Sequence, residues 1–221
     1  MQIGLIGGIG PAATDYYYRK LIAAYAPLSL DLDMTIVHAD TPTLLANLAA
    51  NNIEEQVEIY HRLTKRLKLS GAGCVVVTSI AGHFCITEFS EVSPLPVINM
   101  LSEVSDAIKE RKLQRVGILG TRTVMETRFY SGIESAEVIP PSGALLDEVH
   151  NAYVTMAAKG QVNSEQRSIF DSACEQLLKQ EQVEAVMLGG TDLALVYDEN
   201  SQYPVIDCAA IHVDSILRYT T

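Results

Sequence analysis

Short apolar runs rich in Ile and Val alternate along the chain with longer amphipathic segments, the pattern of parallel strands joined by crossover helices. The runs predict strands at about 2–7, 33–38, 74–78 and 96–99 in the first half, and at 115–119, 136–139, 185–188 and 204–207 in the second. Helices are expected at about 12–25, 53–70, 101–111, 124–132, 143–158, 164–180 and 209–219. Ser164 before Glu165, and Thr14 or Asp15, supply capping signals for two of them. The stretches Ala39 to Pro42 and Pro140 to Gly143 carry the Pro, Asp and Ser of turns.

Much of this pattern occurs twice. Ile3-Gly4-Leu5-Ile6-Gly7-Gly8 is echoed by Val116-Gly117-Ile118-Leu119-Gly120-Thr121, Val75 to Ser79 by Ala185 to Thr191, and Leu95-Pro96-Val97-Ile98-Asn99 by Tyr203-Pro204-Val205-Ile206-Asp207. Three pairs in one order, each about 110 residues apart, indicate a duplication. The expected fold is α/β with two pseudo-symmetric lobes, each a mostly parallel four-stranded sheet flanked by helices. Residues 1–99 with a C-terminal helix at about 209–221 would form the first lobe, and 100–208 the second. Ligands of α/β sheets lie at the carboxyl ends of strands, so a cleft between the lobes is expected, with Ser79 and Gly190 at corresponding strand ends.

Composition narrows the partners. The 221 residues are 48% hydrophobic and 19% charged, enough apolar material for a core in each lobe. A net charge of −11 argues against binding nucleic-acid backbones or anionic membrane surfaces, which need clustered Lys and Arg. No apolar run reaches spanning length and the N-terminus lacks a signal-peptide pattern, so a cytoplasmic location is expected. Cys74, Cys85, Cys174 and Cys208 have neither zinc-ligand spacing nor a disulfide framework, so reduced thiols and no metal are expected.

Two motifs carry candidate chemistry. Gly7-Gly8-Ile9-Gly10-Pro11-Ala12-Ala13-Thr14 follows a strand and opens a helix, so Gly8, Gly10 and Thr14 could cradle a carboxylate or other anion, or the glycines could simply permit a tight turn. Its spacing is not that of a dinucleotide fold, and Asp33 starts its strand instead of ending it. Thr78-Ser79-Ile80-Ala81-Gly82-His83 and Gly189-Gly190-Thr191-Asp192 follow the third strand of each half and bring hydroxyls, an imidazole and a carboxylate together. Ser79 and His83, four apart, could hydrogen-bond on a helical turn. No nucleophile elbow or third orienting residue accompanies them. The alternative is that Ser79 caps a helix and His83 is a satisfied, partly buried histidine.

Residues 3–14, the Tyr16-Tyr17-Tyr18 stretch, Gly120-Thr121-Arg122 leading to Met125-Glu126 and Phe129-Tyr130, and Leu188-Gly189-x-Thr191 together resemble the aspartate/glutamate racemase family over nearly the whole chain. The resemblance implies a two-lobed, cofactor-independent homodimer that inverts the α-carbon of small acidic amino acids. It also implies one thiol per lobe, in a Cys-Asn-Thr-x-His and a Gly-Cys-Thr-Glu motif, acting as opposed proton acceptor and donor. By these motifs Ser79 stands at the first thiol position and Gly190 at the second, Asp192 replaces Glu, Ile80 replaces Asn, and Val124 sits where Thr is common. No arginine for the side-chain carboxylate can be placed after Asp40-Thr41-Pro42, and Lys159 is displaced by one from a family lysine.

A two-thiol racemisation therefore cannot run at these positions, since a serine hydroxyl is too weak a base and glycine offers no group. Cys85 and Cys208 are the cysteines that could stand in. Three readings follow. One is an isomerase on a small amino or carboxylic acid, with His83 and Asp192 or Glu126 as acid and base, and Ser79, Thr121 and Thr191, with Thr78 nearby, holding the carboxylate. A second is a non-catalytic carboxylate-binding or regulatory protein. The third is a lyase or hydrolase using Ser79 and His83.

Overall fold

Strand β1 (Ile3–Gly7) is buried at every position and lies at the centre of its sheet, paired in parallel with β2 (Met34–His38) on one side and β3 (Cys74–Val77) on the other. The sheet order is β2-β1-β3. In the computed structural model, which describes all residues but Ile9 and Glu199, this sheet belongs to a unit of Met1–Met100 with His212–Thr221. Leu101–Ile211 form the second unit. There β4 (Arg115–Gly120), β5 (Glu137–Ile139), β6 (Ala185–Gly189) and β7 (Val205–Asp207) make an all-parallel sheet in the order β5-β4-β6-β7. In both sheets the first strand of the unit lies between the second and the third, as duplication requires.

The first sheet has three strands instead of the expected four. Segment 96–99 makes one isolated parallel bridge, between Val75 and Val97, through Val75 N–H to the Pro96 carbonyl (2.9 Å) and Ile98 N–H to the Val75 carbonyl (3.0 Å). The Ile98 carbonyl, which would carry the ladder forward, accepts from His212 Nε2–H at 2.8 Å instead. A side chain thus takes the acceptor that a fourth strand needs.

The helices are α1 (Pro11–Tyr25), α2 (Thr41–Ala50), α3 (Ile53–Leu69), α4 (Ile86–Val92), α5 (Met100–Glu110), α6 (Arg122–Glu126), α7 (Ala144–Lys159), α8 (Ser164–Lys179) and α9 (Cys208–Thr220). Short 3-10 turns follow α1 (Ala26–Leu28), β3 (Ala81–Cys85) and β6 (Thr191–Leu195). Where a turn was expected at 39–42, Asp40 caps α2 by accepting from Thr43 N–H at 3.0 Å, and Pro42 sits in the first turn where no N–H is needed. The cap of α8 is Asn163, in a reciprocal capping box with Gln166, one residue before the expected Ser164. Helix α1 opens at Pro11 after Gly10 (φ 90°), which places Thr14 and Asp15 inside it.

The helix expected at 124–132 is shorter and earlier. After α6 the backbone of Arg128, Phe129, Tyr130 and Ser131 turns left-handed, with φ of 51°, 60°, 55° and 55°. Such residues cost about 1–2 kcal/mol each. Burial of the Phe129 side chain, and bonds from Phe129 N–H to Val124 (2.9 Å) and from Ser131 N–H to Thr127 (2.9 Å), oppose that cost. Among the described residues no helix is long and apolar enough to cross a membrane, and no cluster of three or more His, Cys, Asp or Glu could hold a metal ion.

Candidate functional site

In the first unit the chain leaving β1 passes through Gly8 at φ 95°, a conformation that side chains rarely adopt. A Cβ there would also collide with the Ala39 carbonyl and the His38 ring. Gly8 N–H donates to Thr14 Oγ1 (2.9 Å), and the Gly8 carbonyl accepts from the Thr41 hydroxyl. Thr14 Oγ1 also lies 3.5 Å from Thr78 Oγ1 and from the Gly10 carbonyl. Thr78 is fully buried and its hydroxyl donates to the Ile6 carbonyl at 3.1 Å. The expected anion cradle is thus closed at Gly8, whose N–H and C=O are both used to fasten the loop. Ile9 lies outside the described residues.

Ser79 ends β3's run into the 3-10 turn, and His83 lies within that turn, 1% exposed. The bond between them is not the side-chain pair that their spacing suggested. His83 Nδ1–H donates to the Ser79 backbone carbonyl at 2.7 Å, so the Ser79 hydroxyl is not activated by this imidazole and the hydrolase arrangement is not assembled. Ser79 does not cap the turn with its side chain either. Because a carbonyl only accepts, Nδ1 carries the proton and Nε2 carries a lone pair. That Nε2 is buried without a hydrogen-bond partner.

His83 packs edge-on against His212 of α9, ring centroids 5.9 Å apart. His212 accepts from the Tyr17 hydroxyl at Nδ1 (2.8 Å) and donates from Nε2 to Ile98, so its tautomer is fixed as well. Burial lowers the His83 pKa to about 4, against a smaller rise from the Ser79 bond. Burial and the neighbouring His83 lower that of His212 to about 3. Both rings are neutral at pH 7. In the unfolded chain they take up protons near pH 6.5 and in the folded chain only near 4 and 3, so the unfolded state binds more protons between those limits. Folding stability should therefore fall as pH drops from about 6.5 toward 4. Substituting Asn at 212 is expected to flatten that slope in chemical denaturation measured across this range.

In the second unit, Gly190 follows β6 in extended conformation (φ −157°), so no backbone demand calls for glycine here. The demand is steric. A Cβ on residue 190 would fall on the ring of Tyr153 from α7, 2.5 Å from its hydroxyl oxygen. Tyr153 is buried, and its hydroxyl donates to Asp192 Oδ2 at 3.1 Å. Asp192 is itself buried, and its other oxygen, Oδ1, has no hydrogen-bond partner. Burial raises the Asp192 pKa, opposed in part by the Tyr153 bond. Burial first, and then the Asp192 charge, push the Tyr153 phenol well up, so it stays a donor.

Of the remaining expected residues of this unit, Thr121 and Glu126 follow β4 and Thr191 follows β6. Thr121 caps α6, its oxygen accepting from Val124 N–H at 3.4 Å, and Thr191 is buried at the start of its 3-10 turn. Glu126 is exposed and paired with Arg122 at 3.2 Å, and Arg122 also pairs with Asp147. Among the described residues no hydrogen bond or ion pair joins Glu126 to Gly190 or Asp192. Arg122 N–H donates to His150 Nδ1 at 3.1 Å.

The Asp/Glu/hydantoin racemase family model matches residues 6–216. The chain belongs to this family. Its fold is shared with a candidate Asp/Glu racemase from Yersinia pestis (23% identity, TM-score 0.86, 99% of this chain and 98% of that one). An aspartate racemase homologue from Pyrococcus horikoshii is similar at 24% identity and TM-score 0.84, over 99% and 98% of the two chains. A glutamate racemase from Francisella tularensis in complex with D-glutamate matches at 14% and TM-score 0.68, over 99% of this chain and 80% of that one.

For a racemase-family member the state of its thiols matters, and all four are buried and free. Burial raises the pKa of Cys85 to about 12 and that of Cys174 to about 11, and it raises Cys74 and Cys208 as well. A thiolate is the reactive form, so neither Cys85 nor Cys208 is poised to act as one. Tyr153 and His212 were not singled out in the sequence. Tyr153 shares a helix face with the buried Val149, Ala152 and Met156, and so carries the signature of a core residue.

Proposed function

We propose that this racemase-family protein binds a small acidic amino acid or related carboxylic acid and acts at its α-carbon, with His83 and Asp192 in place of the two thiols. One observation carries the reading. The 3-10 turn after the third strand of each unit holds one buried side-chain acceptor without a partner, His83 Nε2 and Asp192 Oδ1. Buried polar atoms are nearly always satisfied, and such exceptions gather where a ligand or reacting group supplies the missing bond. A neutral imidazole with an open lone pair is a general base, and a carboxyl group with a raised pKa can exchange a proton. The hydroxyls of Ser79, Thr121 and Thr191 are then the donors proposed for the ligand carboxylate. The Thr78 hydroxyl is already committed to Ile6.

A second reading, a carboxylate-binding protein without turnover, is favoured by the lowered pKa of His83, because a base that protonates only near pH 4 removes an α-proton slowly. The two are separated by incubating the protein with aspartate, glutamate and their 2-hydroxy analogues in deuterated water. Deuterium at the α-carbon supports catalysis. Thermal stabilisation by these compounds without deuterium supports binding alone. Neither effect with any of them would remove both readings. The resemblance also supports a homodimer acting in the cytoplasm without a cofactor; light scattering tests the dimer.

A further inference from the structure

Helices α3 and α4 of the first unit pack against each other through the edge-on contact of Tyr60 with Phe89, ring centroids 5.2 Å apart. His61 Nδ1–H on α3 also donates to the Val92 carbonyl at the end of α4, at 2.9 Å. Along the solvent side of this pair runs an open furrow of about 930 Å³. Ile53 and Val57, one turn apart on α3, and Val92, which is 48% exposed, give it apolar surface. Glu54, Glu55 and Glu58 of α3 and Glu88 and Glu91 of α4 line it too, all exposed. Arg62 is the one Lys or Arg among the described lining residues. We propose that this furrow is an interaction surface for a basic amphipathic helix of a partner protein. Its apolar stripe would seat on Ile53, Val57 and Val92, and its Lys and Arg side chains would meet the glutamates. Seating such a helix requires neither turnover nor an acid held by His83 and Asp192.

The glutamates decide the occupant. Among the described residues none of the five, nor Arg62, forms an ion pair, although Glu58 and Arg62 stand four apart on one helix face. Glu54, Glu55 and Glu88 lie in first helical turns, where the backbone dipole favours an acid. Glu58 and Glu91 gain nothing from that, and they repel the like charges of Glu54 and Glu88 at helical spacing. A metal ion does not answer this charge, because no group of three such side chains among the described residues could hold one. A second copy placed symmetrically would set five carboxylates against five, in a chain whose net charge is already −11. Positive charges spread along a partner helix answer all of them. Residues 53–62 span about 14 Å of α3, which matches about two and a half turns of a docked helix with apolar anchors at i, i+3 and i+4.

The test titrates the full chain into a fluorescein-labelled peptide of about 14 leucines and lysines, with leucine at i, i+3, i+4 and i+7, and reads fluorescence anisotropy. The peptide is expected to bind about tenfold or more tighter than a scrambled peptide of the same composition, which has the charge without the apolar stripe. Raising salt from about 0.05 to about 0.5 M should weaken it about tenfold or more. Glu58→Gln with Glu91→Gln, and separately Val57→Ser with Val92→Ser, should each weaken binding about fivefold or more. Glu110→Gln with Glu148→Gln, which neutralises two exposed acids outside the furrow, should change it by less than about twofold. The glutamate pair is exposed and unpaired, so that variant keeps the fold even if the valine variant does not. Equal binding of the scrambled peptide, an equal loss with the outer pair, or no binding at all would overturn the proposal. So would a mass, by light scattering without peptide, that halves in the Glu58→Gln, Glu91→Gln variant or in the valine variant, since a second copy would then fill the furrow.

Discussion

Replacing Gly190 by cysteine is expected to lower the melting temperature by about 4–24 °C and to create no racemase. The added Cβ lands on the Tyr153 ring, which is buried and tied to Asp192. Forcing extra atoms into a packed site costs about 1–3 kcal/mol, and losing the phenol's bond to a buried carboxylate adds about 1–3 more. For a chain of this size each kcal/mol is worth about 2–4 °C. The extended backbone at 190 tolerates any residue, so the whole penalty is steric. It should therefore fall when Tyr153 is cut back. Tyr153→Ala combined with Gly190→Cys is expected to be more stable than the sum of the two single effects by about 1–3 kcal/mol, read from a double-mutant cycle of denaturant unfolding. An unchanged melting temperature for Gly190→Cys alone would mean that the ring yields freely and that position 190 is not closed.

Removing the His83 side chain should have the largest effect on activity. His83→Ala takes away the one neutral, unpartnered imidazole nitrogen at the end of β3, and α-proton exchange is expected to drop by about 10²–10⁴-fold. It also leaves a cavity beside His212 and an unsatisfied Ser79 carbonyl, at a cost of about 2–4 kcal/mol. Lost exchange in that variant could thus reflect a damaged fold. His83→Asn separates the effects, because its amide N–H can still reach the Ser79 carbonyl while no lone pair stands where Nε2 was. Native-like melting with exchange lost assigns the base to His83. Exchange retained in His83→Asn would show that another group does the work.

Much of this architecture was legible in the sequence, for identifiable reasons. The strands of both halves are continuous apolar runs because they are buried on both faces, and β1, β3, β4 and β6 are where those runs fall. The duplication shows in the shared strand order of the two sheets. Helix α2 was hidden because it buries only Leu44 and Asn47 and so leaves no helical period, and α4 is seven residues entered from a 3-10 turn. The missing fourth strand depends on His212, more than a hundred residues away from Ile98 in the chain, and no local pattern announces such a bond.

The site divides in the same way. Ser79, His83, Gly190 and Asp192 could be picked out because they follow strands directly. What each of them bonds to could not, since these contacts are set by packing. Ser79 and His83 interact through backbone where the spacing suggested side chains, and the absent side chain at 190 is explained by a tyrosine on α7 that patterning marks as core. Even the glycine motif after β1 spends its polar groups on Thr14 and Thr41.

As proposed, His83 and Asp192 move the protons at the ligand's α-carbon, and no thiol takes part. The most direct test is α-deuterium incorporation into aspartate and glutamate in deuterated water, measured by NMR before and after treatment of the native protein with iodoacetamide and again with Cys74, Cys85, Cys174 and Cys208 replaced together by alanine. Incorporation is expected to survive both treatments, since all four thiols are buried and held protonated. Incorporation abolished by alkylation, or by the cysteine replacements in a protein that still melts cooperatively, would contradict this.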